Sequence, residues 1–240
     1  MTNALLTSME SSPKLAKYTG DGYLGAILYL ASGVYKRELC PNAGDCLNSC
    51  LITNAGRGAF DVKVSSARKR KSDWLLRDRA EFVKQLSSEI SKLERKAAKL
   101  GKKLAIRLNG GSDLDWSDVY AAHPGVQFWE YTKRPELAVK LNQLPNVHVT
   151  YSYNERTTNR ILGIIIGASI NVAVVFGIRK GQNLPATNGN MPVIDGDLHD
   201  FRFLDQKGVI VGLRLKSNKR VTEDKLVGGF VQTGGNIQAA

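Results

Sequence analysis

The chain of 240 residues is short of several things. It holds three cysteines, three histidines and three tryptophans. Three cysteines are too few to staple a fold of this size, which excludes a disulfide scaffold. Seven prolines and 23 glycines with no fixed period exclude a collagen-like or polyproline chain. Acidic residues are scarce beside basic ones, 22 against 34, for a formal net charge of +12. Long apolar runs are missing too. The longest, residues 161–175, is broken by Gly163, Gly167, Ser169 and Asn171, and falls short of the about 20 residues a membrane-crossing helix needs. Residues 1–13 lack the basic start and apolar core of a secretory signal. These absences predict a cytoplasmic protein with reduced thiols and no membrane partner. Nothing in them sets the oligomeric state.

What is present is ordinary in bulk: 42% of residues are hydrophobic, enough for one sizeable core. The charge excess concerns partners, since a positive field gathers polyanions, nucleic acid first among them. Residues 1–20 read as a flexible leader, 21–215 as a single α/β domain and 216–240 as a polar, glycine-rich tail. Residues 26–30 read as a buried strand bounded by glycines. A long helix is expected from Ser72 or Asp73 to Leu100, because Leu75, Phe82, Leu86, Ile90, Leu93 and Ala97 fall on one stripe, and Gly101 ends it. Strands at 104–108, 126–131, 147–153 and 171–176 then alternate with helices at 116–122, 135–144 and 157–168. This alternation predicts an α/β fold with mostly parallel strands, a partial (βα) barrel. Residues 201–204 and 209–215 read as a C-terminal β-hairpin closing one end of the sheet.

All three cysteines, Cys40, Cys46 and Cys50, fall in one stretch of eleven residues just after the first strand. Three thiolates from one loop can hold three irons of a [4Fe-4S] cluster and leave the fourth open, and Gly44 gives that loop room to wrap. Two alternatives stay open. One is a structural zinc with His123, His148 or His199 as fourth ligand, although zinc sites draw cysteines in closer pairs. The other is three ordinary buried cysteines. A second motif, Arg107-Leu108-Asn109-Gly110-Gly111-Ser112-Asp113, ends the next strand. Glycines at the carboxyl end of a parallel strand admit a ligand to the backbone; a capped turn is the plain alternative.

The order strand, three-cysteine loop, helix, strand, Gly-Gly-polar resembles that of radical S-adenosylmethionine (AdoMet) enzymes. The resemblance implies a [4Fe-4S] cluster on Cys40, Cys46 and Cys50, whose open iron chelates AdoMet. It implies that Gly110, Gly111 and Ser112, with Asp113 supplying the acid, contact the AdoMet amino group. Ser152, Asn154 and Glu155, at a later strand end, would meet its ribose or carboxylate. In such enzymes the cluster donates one electron to AdoMet, and the 5′-deoxyadenosyl radical removes a hydrogen atom from substrate, so an electron donor is a further partner. The cysteine gaps are wider here than in that superfamily, and Ser49 stands where an aromatic residue is usual, which marks a divergent branch. The runs Leu39-Cys40-Pro41-Asn42-Ala43-Gly44, Arg107-Leu108-Asn109-Gly110 and Val193-Ile194-Asp195-Gly196-Asp197 also resemble an uncharacterised phage-encoded family. That resemblance implies the host-cell cytoplasm as location.

Two more features invite function. Arg68-Lys69-Arg70-Lys71 is the densest basic run, and Trp74 beside it can stack on a base; a solvated helix start with Trp74 in the core is the plain reading. Asp195, Asp197, Asp200 and Asp205 surround His199, which fits turn chemistry better than a Mg²⁺ site. The sequence thus leads to a radical AdoMet-like enzyme acting on a nucleic acid or nucleotide-type anion. A non-enzymatic phage nucleic-acid-binding protein with a structural metal loop, iron–sulfur or zinc, is the alternative.

Overall fold

The structure, a computed structural model, describes residues 4–216 and 229–233. After β1 (Leu6–Ser8), strand β2 (Tyr23–Leu28) leads into the cysteine loop. Two short helices follow, α1 (Leu51–Asn54) and α2 (Gly56–Phe60), then α3 (Val62–Arg77) and α4 (Arg79–Lys99). From there strand and helix alternate: β3 (Lys103–Arg107), α5 (Ser117–Ala122), β4 (Gln127–Thr132), α6 (Pro135–Asn142), β5 (Val147–Ser152), α7 (Asn159–Gly167) and β6 (Asn171–Phe176). The chain continues through β7 (Thr187–Asn188), β8 (Met191–Asp195), β9 (Ile210–Arg214) and β10 (Val231–Gln232).

The sheet order is β1-β2-β3-β4-β5-β6-β9-β8-β7, with β10 also paired to β6. Strands β2 to β6, then β9 and β8, run parallel, while β1 and β7 are antiparallel at the two edges. Successive parallel strands lie side by side, so the crossover helices cover one face. Phe82, Leu86 and Ile90 of α4, Val119 and Tyr120 of α5, Leu137 and Leu141 of α6, and Leu162 and Ile165 of α7 all join one core with Leu28, Ile106, Phe128 and Val149. Alternate residues point the other way. Ile27, Ala105 and Trp129 there meet Leu15 and Phe201 in a second, smaller core. The architecture is the expected α/β partial barrel with mostly parallel strands; the sheet does not close on itself.

Several expectations are corrected. The single long helix is two. Asp61 caps α3 by accepting from the Lys63 and Val64 amides, and Asp78 caps α4 by accepting from Glu81 at 3.0 Å, with φ −147° at the break. The basic run therefore lies inside α3 rather than at a helix start. Gly101 ends α4 as expected, with φ +66°. Residues 4–20 differ from a flexible leader: β1 pairs with β2, and Leu5 and Leu15 are fully buried, while residues 1–3 lie outside the described residues. The hairpin at 201–215 is absent. Residues Arg202–Leu204 form one 3-10 turn, and β9 pairs in parallel with β6 and β8. Phe201 plugs the inner core instead, and β7 with β8 supplies the hairpin at that end of the sheet. Of the tail, residues 217–228 and 234–240 lie outside the described residues.

Candidate functional site

One cavity of about 230 Å³ opens at the carboxyl ends of the parallel strands. Cys40, Cys46 and Cys50 line it after β2, Asn109, Gly110, Gly111, Ser112 and Asp113 after β3, Lys133 after β4, Ser152 at the end of β5, Val175 in β6, and Leu213 to Lys216 at the end of β9. Parallel sheets collect ligands at this edge because every βα turn converges there.

The three cysteines are free thiols, Cys50 buried and the others half-buried. Cys40 Sγ accepts from the Gly33 amide at 3.3 Å and donates to the Gly111 carbonyl at 3.7 Å, which ties the cysteine loop to the Gly-Gly turn. Burial pushes the Cys40 thiol up to about 11 and raises Cys46 as well; the Lys133 ammonium opposes both shifts. Burial also works against the Lys133 ammonium, yet Cys46, Asp113 and Cys40 hold its pKa above the ordinary lysine value. Among the described residues no three His, Cys, Asp or Glu side chains converge to hold a single metal ion. A cubane cluster asks for something else, since each thiolate takes a different iron and the thiols must surround a space.

The glycines are there for close approach. A Cβ on Gly110 would lie 2.6 Å from Ile27 Cγ2 and 2.7 Å from the Leu28 carbonyl; one on Gly111 would lie 2.7 Å from Ile52 Cδ1. Asn109 organises the turn. Its Oδ1 accepts from Ser112 Oγ at 2.8 Å, from the Leu114 amide and from Trp116 Nε1, so Ser112 is satisfied locally. Asp113 differs. Its Oδ2 accepts from the Lys133 amide at 3.0 Å, but its Oδ1 is buried with no hydrogen-bond partner.

The β5 candidates divide. Ser152 faces the cavity. Asn154 closes its own turn, donating to the Ser152 carbonyl and accepting from the Arg156 amide at 2.8 Å. Glu155 reaches across to the cysteine loop, where Oε1 accepts from the Asp45 amide at 3.1 Å and packs on Gly44, whose φ of +51° suits glycine. It anchors the cysteine loop and does not line the cavity.

The basic run spreads around α3. Arg68 stacks on the Tyr29 ring at 4.8 Å, Lys69 lies over Tyr35, Lys71 donates to the Leu5 carbonyl at 2.6 Å, and Arg70 is exposed. Trp74 packs edge-on against Phe82 at 5.2 Å. The acidic group is neutralised: Asp195 and Asp197 pair with Arg214, Asp200 with Arg107 and Asp205 with Arg202. Asp195 Oδ1 also accepts from the Asp197 amide at 2.9 Å, the turn chemistry expected of it. Lys133 was visible in the sequence only as half of a basic pair; its place after a parallel strand was the signal that marks it as a site residue. No helix among the described residues is long and apolar enough to cross a membrane.

No curated protein and no solved structure matches the chain. The cysteine loop, the Arg-Leu-Asn-Gly strand end and the Val193 to Asp197 run fall within one family match spanning residues 2–227, so the chain belongs to the Gene product 88 family, a phage-encoded family.

Proposed function

We propose that this protein is an iron–sulfur protein of the radical AdoMet type, with Cys40, Cys46 and Cys50 as ligands of a [4Fe-4S] cluster. The observation that carries the reading is convergence. Three free thiols, a close-packed Gly-Gly turn and an unpartnered buried carboxylate oxygen line one cavity at the ligand-gathering edge of a partial barrel. What supports the fit is that all three thiols line one cavity, that Lys133 lies beside Cys46 and Cys40, and that no disulfide competes for the sulfurs.

When bound, the reduced cluster supplies one electron to AdoMet. The chain's own residues do the rest. Asp113 Oδ1 would accept from the AdoMet amino group, and Ser152 would hydrogen-bond its polar edge. Phe230 and Leu215, on the cavity wall, exclude water. Six cationic side chains, Lys14, Lys17, Arg107, Lys133, Arg214 and Lys216, line the same cavity against Asp113, Asp197 and Asp200, which favours an anionic substrate of nucleotide type.

The test is anaerobic purification followed by reduction with AdoMet present. The account expects a brown protein with iron–sulfur charge-transfer absorption, lost in Cys46→Ala, and formation of 5′-deoxyadenosine. Stoichiometric zinc without iron would overturn it, and would favour a structural metal loop in a phage nucleic-acid-binding protein.

A further inference from the structure

The cavity has a second wall, away from the cysteines, built around Lys14 and Arg107. Lys14 precedes the turn Leu15–Lys17 and reaches into the cavity, where its ammonium makes no hydrogen bond or ion pair among the described residues. Arg107, at the carboxyl end of β3, is 7% exposed. Its Nη1 donates to Asp200 Oδ2 at 3.2 Å and its plane stacks on Tyr131 at 4.6 Å, but its Nε is buried with no partner.

Charge here is out of balance. Asp200 is one carboxylate facing Arg107, Lys14 and Arg202. Arg202 has Asp205 of its own at 3.2 Å, which leaves Lys14 and Arg107 sharing Asp200, with Glu130 the other carboxylate acting on Arg107. Burial pushes Lys14 down to about 8, and Arg107, Lys216 and Arg68 oppose its charge while Asp200 alone favours it. A half-buried cation that has only a share of one carboxylate and a buried guanidinium N–H without an acceptor are each costly. One bound anion removes both defects. A lysine point charge beside an arginine fork suits phosphate. A cavity of about 230 Å³ is too small for a strand of nucleic acid.

We propose that Lys14 and Arg107 form a subsite for the phosphate group of a phosphorylated small molecule of nucleotide size. The proposal deepens the anionic-substrate part of the functional reading, yet needs no cluster and no turnover, so the two can fail separately.

The experiment is calorimetric titration of the full chain, as purified, with adenosine monophosphate, adenosine, inorganic phosphate and succinate. The monophosphate is expected to bind at least tenfold more tightly than adenosine, and phosphate more tightly than succinate. Lys14→Met is expected to weaken monophosphate binding at least tenfold, and Arg107→Lys, which keeps the charge facing Asp200 but loses Nε, to weaken it also. Arg70→Ala, on the exposed side of α3, should bind as the parent does. Absence of binding to the parent, equal binding of adenosine and its monophosphate, or parent-like affinity in a folded Lys14→Met protein overturns the proposal. If Lys14→Met does not fold, parent-like affinity in Arg107→Lys overturns it.

Discussion

Glu155 offers a sharp test of how the cysteine loop is held. Its Oε1 accepts from the Asp45 amide at 3.1 Å across 110 residues of chain, linking the end of β5 to the segment between Cys40 and Cys46. A hydrogen bond to a charged acceptor contributes roughly 1.5–3 kcal/mol. The Glu155 side chain is 22% exposed and lies 3.7 Å from Arg156, so the lower end applies, about 1.5 kcal/mol. Glu155→Ala removes this bond and nothing in the core. Loop opening should then be roughly tenfold more frequent, while global unfolding shifts by no more than about 1.5 kcal/mol. Glu155→Gln keeps a neutral acceptor about half as strong and should fall between. Amide hydrogen exchange of a peptide covering 41–50 measures the effect. Parent-like exchange there in Glu155→Ala would show that the loop is held by something else. Slower exchange would reverse the argument.

Other consequences follow from the same geometry. Gly111→Ala places a methyl 2.7 Å from Ile52 Cδ1 and 3.0 Å from the Leu30 carbonyl; it should cost about 1–3 kcal/mol in denaturant unfolding, and no loss would mean the turn has slack. Trp74→Ala removes a half-buried ring packed on Phe82 and should cost at least about 2 kcal/mol; a change under about 0.5 kcal/mol, typical of surface sites, would make Trp74 a surface residue. His148 is buried with Nε2 unpartnered, and burial lowers its pKa from 6.5 to about 4. The unfolded chain therefore binds more protons between these values, and stability falls as pH drops from about 6.5 to about 4. Glu130 slopes the opposite way, because burial raises it to about 7 and the folded state binds the extra proton. The clean measurement is the difference between the parent and His148→Leu: the parent should lose stability relative to the variant on acidification, and a constant difference would refute the assignment.

Much of this fold was legible in the sequence where periodicity is strong. The run from β2 to β6 matches the expected strands and helices because their apolar residues repeat at 2 or 3.6 and glycine or proline marks their ends. The failures are local. Asp78 breaks a continuous apolar stripe through one capping carboxylate, which no periodicity reveals. Residues 201–204 carry a strand-like pattern, but Phe201 is claimed by Trp129 and Leu15 from distant segments. Pairing of β1 with β2 depends on an edge that only the folded sheet provides. At the site, the cysteines and Gly110 to Asp113 were findable because they follow strand ends. Glu155 was placed near its true position but given to a ligand rather than to the loop it anchors, since sequence cannot show a contact across 110 residues. Lys14 was missed, and Arg107 was read only as the start of the Gly-Gly motif, because their shared dependence on Asp200 is tertiary.

The central claim is that Cys40, Cys46 and Cys50 together hold one iron–sulfur cluster. Iron and acid-labile sulfide per chain, measured on protein purified without oxygen, test it most directly. The account predicts about four of each per chain in the parent, as a cubane requires, and loss of both when any one of the three cysteines is replaced by alanine. Iron and sulfide near zero with one zinc per chain, or full iron content retained in Cys40→Ala, would contradict it.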